Sequence, residues 1–211
     1  MIVRRARARG LLRALACLSL VGAVGLAPAA GAAEVELTLL GGLHDGGSFE
    51  DAVTGRGLDA DVGPSFGAAL GFDLGGDRTL EVIWVHQQLV VPESSYQDGD
   101  VDLDVDTLGV GGTYEWGRAR ARPFVSGTVG VALLSPESSS YDRELLLMVS
   151  LGAGVKLPLS SRTSIRFEGR GVGMFVVNGA AGICGPGGCA LGFSGSGLGQ
   201  LELLAGISFR L

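Results

Sequence analysis

From residue 34 onward the chain alternates apolar and polar residues in eight separate segments. A period of two is the pattern of β-strands whose two faces meet different surroundings. Each segment is long enough to cross a bilayer, which takes about 9–11 residues of tilted strand. The pattern therefore predicts an all-β chain with eight long strands, over residues 35–43, 62–74, 80–91, 101–116, 125–133, 145–157, 165–175 and 200–211.

The connections between these segments alternate in length. Those after the second, fourth and sixth segments are short and rich in turn-forming residues, at 74–77, 117–120 and 158–161. Those after the odd segments are longer, at 44–61, 92–100, 135–142 and 178–196. A barrel in a bacterial outer membrane has short periplasmic turns and longer outer loops. We therefore predict an eight-stranded antiparallel up-and-down transmembrane β-barrel, whose last strand pairs with its first and leaves no open edge.

The fourth segment changes phase along its length. Leu103 and Val105 share one parity, whereas Leu108 and Val110 share the other. Two explanations stay open. A β-bulge near Asp106 would shift the register, or the upper part of the strand would stand clear of the lipid.

Alternation alone does not say which face of the barrel points outward. In a soluble barrel the apolar face would line a cavity, whereas in a membrane barrel it would meet lipid. The polar faces carry charges that can pair inside a narrow barrel, where paired buried ions are tolerated. They are Arg166, Glu168, Arg170 and Glu202, with Lys156 and either Glu81 or Glu115 as further candidates. The connection lengths favour the membrane barrel, and eight strands enclose an interior that side chains fill, so we expect no open pore.

The first 33 residues differ from the rest. Five arginines between positions 4 and 13 precede or enter an apolar stretch at 11–28, and small residues follow at 30–33. This is the order of a secretory signal peptide. A membrane-anchoring helix is the alternative, since the stretch is marginally long enough to span. We predict a signal peptide over 1–33, cleaved after Ala32 or Ala33, and one barrel domain over 34–211.

Beyond residue 33 the chain has 11 Lys and Arg and 22 Asp and Glu. This acidic balance argues against a nucleic-acid partner, because phosphate binding needs a basic face. The expected location is the outer membrane of a Gram-negative cell envelope, reached through the periplasm. We expect outer-membrane lipid and lipopolysaccharide as partners, together with periplasmic chaperones and the barrel-assembly machinery, and a monomeric protein.

Several stretches within residues 101–211 carry a family resemblance. They are LGVGGTYEW at 108–116, RPFVSG at 122–127, LGAGVKLPL at 151–159, RFEGRG at 166–171, the hairpin loop from Cys184 to Cys189, and GISFRL at 206–211. In them the chain resembles the small outer-membrane β-barrel proteins related to the transmembrane domain of outer-membrane protein A. The resemblance implies an eight-stranded outer-membrane barrel and says little about activity.

Two cysteines follow the predicted signal peptide, Cys184 and Cys189, separated by Gly-Pro-Gly-Gly. Because the periplasm is oxidising, we predict a disulfide between them. Closing so short a loop is worth roughly 2 kcal/mol in the chain-entropy model. A metal site or a redox pair is the alternative, but neither has a supporting His or further Cys nearby.

An acidic ladder occupies the start of the fourth segment. In an extended strand its members share one face, about 7 Å apart, and hard cations such as Ca²⁺ or Mg²⁺ prefer such oxygen ligands. The candidate metal ligands are Asp100, Asp102, Asp104 and Asp106. We favour instead a solvated strand above the membrane, whose charges deter pairing between edges, and we predict no cofactor.

Catalysis on lipid A at a barrel surface would require a His with a Ser partner at the lipid face. The chain has two His, His44 with Ser48 close in sequence, and His86 on the face of Trp84. Neither lies in a recognisable motif, so we predict no enzyme. The predicted role is structural or surface-interacting and adhesin-like. The alternatives are a narrow channel for small or apolar solutes and a lipid A-modifying enzyme.

Overall fold

The computed structural model describes residues 34–45, 47–51, 57–59, 61–91, 101–117, 120–136, 143–176, 182–185, 188–193 and 197–211. The predicted signal peptide lies outside these ranges. Within them no helix is long and apolar enough to cross a membrane. The strands of this part are β1 Val35–His44, β2 Ser48–Asp51, β3 Gly57–Asp59, β4 Gly63–Asp73, β5 Arg78–Val91, β6 Val101–Glu115, β7 Arg122–Pro136, β8 Glu144–Pro158, β9 Thr163–Val176, β10 Gly182–Gly185, β11 Gly188–Phe193 and β12 Gly197–Arg210.

Eight of these strands close into a barrel in the order β1-β12-β9-β8-β7-β6-β5-β4. Every neighbouring pair is antiparallel, and β1 is bonded to β12 on one side and to β4 on the other. The barrel therefore has no unpaired edge. The predicted eight-stranded antiparallel barrel is confirmed.

The turn between β4 and β5 shows why the short connections suit this fold. Gly75, Gly76 and Asp77 all adopt positive φ angles, of 76°, 65° and 63°. Glycine adopts this conformation without the steric cost that a side chain brings, and aspartate tolerates it. The Asp73 carboxylate accepts a hydrogen bond from the Gly75 amide at 2.7 Å, which holds the turn from its own strand.

Strand β6 keeps one phase from end to end. Its pairing with β5 and with β7 runs in constant register, so the bulge considered near Asp106 is wrong. Leu103 and Val105 are buried inside the barrel, whereas Asp104 and Asp106 lie outside and are partly exposed. The phase change in the sequence arises because the two faces of the strand exchange polarity near the outer end of the barrel.

A second sheet is built from the two longest connections. Its order is β10-β11-β2-β3, with β2 from the first long connection and β11 from the last paired antiparallel. The sequence pattern predicts residues 44–61 and 178–196 only as long connections, so the strands within them are a finding of the structure. Alternation over three to six residues is too short to indicate a strand, and the pairing of β2 with β11 joins residues about 140 positions apart in the chain.

The barrel wall is apolar outside and largely polar inside. Large apolar side chains are exposed on its outer surface, among them Leu39, Phe66, Val129, Leu147, Phe167, Leu203 and Ile207. The charged side chains that alternate with them are buried in the lumen. A soluble barrel would need the opposite arrangement, since exposed apolar belts of this extent are unfavourable in water. The barrel is therefore a transmembrane one.

Candidate functional site

The lumen is the interior of the barrel. Lys156 on β8 lies at its periplasmic mouth. The Lys156 ammonium donates hydrogen bonds to Glu36 on β1 at 2.7 Å and to Glu115 on β6 at 2.6 Å. Two overlapping pockets of about 230 Å³ each open below this bridge, and Arg122 and Arg210 line both. The mouth is a shallow charged vestibule that is closed above by a three-residue ion cluster.

Above the vestibule, Arg166 on β9 spans the lumen. Its guanidinium binds Glu81 on β5, with Nη2 to Oε1 at 3.2 Å, and Glu168, with Nη2 to Oε2 at 2.7 Å. Ser126 donates to the second oxygen of Glu168 at 2.6 Å. The Arg166 side chain is fully buried, and its guanidinium carbon lies 4.8 Å from the centre of the Phe124 ring. This cation has two counter-ions and an aromatic face, which is what a desolvated arginine requires.

A second ion pair lies farther toward the outer end. Arg170 on β9 donates to Glu202 on β12, and Gln87 on β5 donates to the other oxygen of the same carboxylate. His44 is the register partner of Glu202 and is buried. Neither ring nitrogen of His44 has a hydrogen-bond partner within the part of the chain that the structure describes. This level of the lumen is polar and crowded with side chains from four strands.

The outer end of the lumen is apolar. We call its buried side chains the outer apolar layer: Leu89, Leu103, Val105, Leu134, Leu146 and Met174. Leu89 lies opposite Leu103 in the register, and Val105 lies opposite Leu134. The lumen is thus closed at successive levels, first by ion clusters and then by hydrocarbon.

The structure places inside the barrel the charges that the sequence pattern predicts on its inner face. Arg166, Glu168, Arg170 and Glu202 are all buried, but they form two separate clusters rather than one. Both further glutamates lie inside the barrel, Glu81 with Arg166 and Glu115 with Lys156. Glu36 and Gln87 were not singled out from the sequence. Their inward parity was visible, but their partners come from strands that are distant along the chain.

The acidic ladder faces outward, and its lower members bind neighbouring aromatic side chains. The Asp106 carboxylate accepts a hydrogen bond from Trp84 at 3.2 Å, and the same oxygen lies 3.1 Å from His86 Nδ1. The other ring nitrogen of His86 lies 3.8 Å from Asp104. Asp100 is outside the described residues. In the described ranges no three His, Cys, Asp or Glu side chains come together in a way that could hold a metal ion.

The remaining candidate residues are not assembled into a catalytic site in the described part of the chain. His44 lies in the lumen instead of at the lipid face, and the Ser48 side chain is outside the described part. His86 packs against the Phe66 ring, with ring centres 4.8 Å apart. The backbone register places Cys184 opposite Cys189. Their side chains, and with them the predicted disulfide, lie outside the described part.

Comparison with solved structures finds the same architecture. Neisserial surface protein A is 10% identical with a TM-score of 0.58, over 84% of this chain and 97% of that one. The N-terminal barrel of Pseudomonas aeruginosa OprF is 16% identical (TM-score 0.48, 84% and 97% covered), and Ail of Yersinia pestis is 12% identical (0.46, 83% and 99%). No protein-family model and no curated protein matches the chain. The fold is that of a small eight-stranded outer-membrane barrel, as the sequence resemblance implied, and the apolar outer surface agrees with the predicted outer-membrane location.

Proposed function

We propose that this protein is a non-catalytic, non-conducting outer-membrane barrel that carries an acidic interaction surface at its outer end. One observation carries the proposal, the separation of charge along the barrel axis. Residues 44–61, 92–106 and 135–144 together contain fourteen Asp and Glu and two Arg. The opposite end, at 74–78, 116–122 and 158–163, contains five Arg and one Asp. Long connections lie outside the cell in barrels of this class, so the acidic end is the exposed one.

The filled lumen supports the non-conducting part of this proposal. An ion that entered the vestibule would have to displace Lys156 from two carboxylates and then pass the buried Arg166 cluster. It would next meet the outer apolar layer, where an unpaired charge is strongly unfavourable. We expect no stepwise conductance from the purified protein in a planar bilayer. Regular conductance steps would contradict this part and favour the channel alternative.

The environment of the two histidines supports a non-catalytic role. A base that acts on lipid must be within reach of the lipid and of its nucleophile. His44 lies in the lumen, and His86 binds Asp106 at the outer surface. We expect lipid A from cells that express the unaltered protein to give the same mass spectrum as lipid A from cells that express the His86→Ala variant. A difference between the two spectra would support an enzyme.

The partner that such an end would attract is a cationic protein surface. Clustered charge of one sign raises association rates with an oppositely charged partner. Exposed charges are screened beyond about 8 Å at physiological salt, so binding should weaken as salt rises.

The test uses the full chain in nanodiscs with fluorescent polylysine as the probe and polyglutamate as the negative probe. Asp98, Asp100, Asp102 and Asp104 are changed together to Asn, which keeps size and removes four charges. The matched control changes Arg118 and Arg120 to Gln at the opposite end. We expect polylysine affinity to fall about tenfold in the Asn variant and not to fall in the control. Equal affinities for the Asn variant and the unaltered protein would contradict the proposed interaction surface.

A further inference from the structure

A groove lies in the lipid-facing wall of the barrel, and two glycines form its floor. Gly112 on β6 and Gly127 on β7 are register partners. The next residues in the same row are Leu80 on β5 and Leu151 on β8. The row therefore has two positions without side chains between two exposed leucines. The cavity has a volume of about 650 Å³, within the range of binding sites for small organic molecules.

The barrel's own packing leaves more room at these two glycines than at the inward-facing ones. A Cβ at Gly112 would lie 3.2 Å from the Thr79 carbonyl oxygen, and one at Gly127 would lie 3.4 Å from Leu151. By contrast, a Cβ at the inward-facing Gly111 or Gly130 would collide with a carbonyl oxygen of the adjacent strand. The inward glycines allow the strands to approach closely, whereas the outward pair keeps a groove open.

One end of the groove is polar. From the two glycines the groove continues past Tyr114 and Val125 to Leu74. It ends at the exposed Arg78, beside the β4–β5 turn. Tyr114 stacks with Trp116, with ring centres 6.2 Å apart, as aromatic residues do at a membrane interface. Within the described ranges Arg78 forms no salt bridge. An apolar groove thus ends at the periplasmic boundary of the membrane in a cation that has no ion pair among the described residues.

We propose that the groove binds one phospholipid of the periplasmic leaflet. An acyl chain lies over Gly112 and Gly127 between the two leucines, and the phosphate binds Arg78. Two residues of strand separate Arg78 from Leu80, about 7 Å, so a headgroup at the cation places the start of its acyl chain in the groove. A second copy of this chain is a poorer occupant, because a two-fold contact through this face brings two Arg78 side chains together.

The test uses the full chain refolded in detergent and titrated with phosphatidylglycerol. Native mass spectrometry counts the lipids that bind to each protein molecule. We expect one lipid to bind before the others. Gly112→Leu with Gly127→Leu fills the groove, and we expect that lipid to be lost. Gly171→Leu is the matched control, since Gly171 also faces outward and a Cβ there would lie 3.9 Å from its nearest neighbour, Leu201. We expect this control to keep the lipid.

A second variant leaves the barrel wall unchanged. Arg78 is exposed beside the β4–β5 turn, so Arg78→Gln leaves the groove unfilled. We expect this variant to bind phosphatidylglycerol about fivefold more weakly, because one cation near an anionic headgroup contributes about that much. Unchanged lipid counts in the groove-filling variant, with the barrel folded as shown by its migration in unheated gels, would overturn the proposal. So would a dimer of the unaltered protein that the same variant converts to a monomer, because the groove would then be a contact between copies.

Discussion

The two halves of the lumen are built on the same eight strands but are stabilised in different ways. In the lower half Arg166 and Lys156 each bind two carboxylates, and these ion clusters fill the lumen. In the upper half the inward positions of the same strands carry Leu103, Leu134 and Leu146. The fold therefore does not require a polar interior. It requires a counter-ion for each buried charge and close packing for buried hydrocarbon.

The outer surface shows the complementary difference. On β6 the outward positions beside the ionic half of the lumen are apolar, as at Val110, whereas those beside the outer apolar layer are Asp102, Asp104 and Asp106. The upper part of this strand thus has the polarity of a water-soluble barrel, whereas its lower part has that of a membrane barrel. Trp84, whose indole donates to Asp106, lies where the two meet. The phase change read in the sequence of β6 marks the level where the strand leaves the lipid.

The largest expected effect comes from removing the central cation. Arg166→Met leaves Glu81 and Glu168 buried without their counter-ion, and we expect the free energy of unfolding to fall by about 4 kcal/mol. Urea unfolding of the barrel in lipid vesicles, followed by tryptophan fluorescence, measures it. Adding Glu81→Gln and Glu168→Gln should restore most of the loss. If the triple variant is as unstable as the single one, the ion cluster is not the cause.

The next effect tests the outer apolar layer. Leu146→Ala creates a cavity among fully buried side chains, and we expect a loss of about 3 kcal/mol in the same assay. The matched control is Leu147→Ala on the same strand, which faces lipid. Because lipid fills the space that the shortened side chain leaves, the control should lose less than about 1 kcal/mol. Equal losses for the two variants would argue against a packed layer.

A smaller effect is expected at the mouth. Lys156→Met also removes a cation from two carboxylates, but Glu36 and Glu115 line the open vestibule and remain 16% and 15% exposed. We expect a loss of about 2 kcal/mol, below that at Arg166, since water reaches these carboxylates. Arg210→Gln, which breaks a pair with Glu34 that is exposed on both sides, should cost about 0.5 kcal/mol. A Lys156 variant less stable than the Arg166 variant would reverse this order.

A smaller loss than at Lys156 is expected for a neutral contact within the lumen. Thr128 and Ser150 share a hydrogen bond of 2.6 Å between buried hydroxyls. Thr128→Val leaves the Ser150 hydroxyl without this partner, and we expect a loss of about 1 kcal/mol. Adding Ser150→Ala removes the unsatisfied group, so the double variant should be close to the unaltered protein. A double variant that adds the two single losses would show that the contact has no role as a pair.

Much of the architecture could be predicted from local pattern. A period of two over eight segments indicates eight strands, and the alternation of long and short connections indicates how they follow one another. The inward parity of Arg166, Glu168, Arg170 and Glu202 follows from the same period, because successive side chains on a strand point to opposite faces. These features depend on residues close together in the chain, so the sequence alone was enough to determine them.

Partners across the lumen could not be predicted in this way. Arg166 binds Glu81, 85 positions away, and Lys156 bridges Glu36 and Glu115, which are 120 and 41 positions from it. Which inward side chains meet depends on the stagger between strands when the sheet closes, and no local pattern carries that stagger. The pairing of β2 with β11 likewise joins segments about 140 positions apart in the chain. The amino-acid sequence by itself determined the strands, their faces and their place in a membrane, whereas closure of the barrel decided which buried charges neutralise each other.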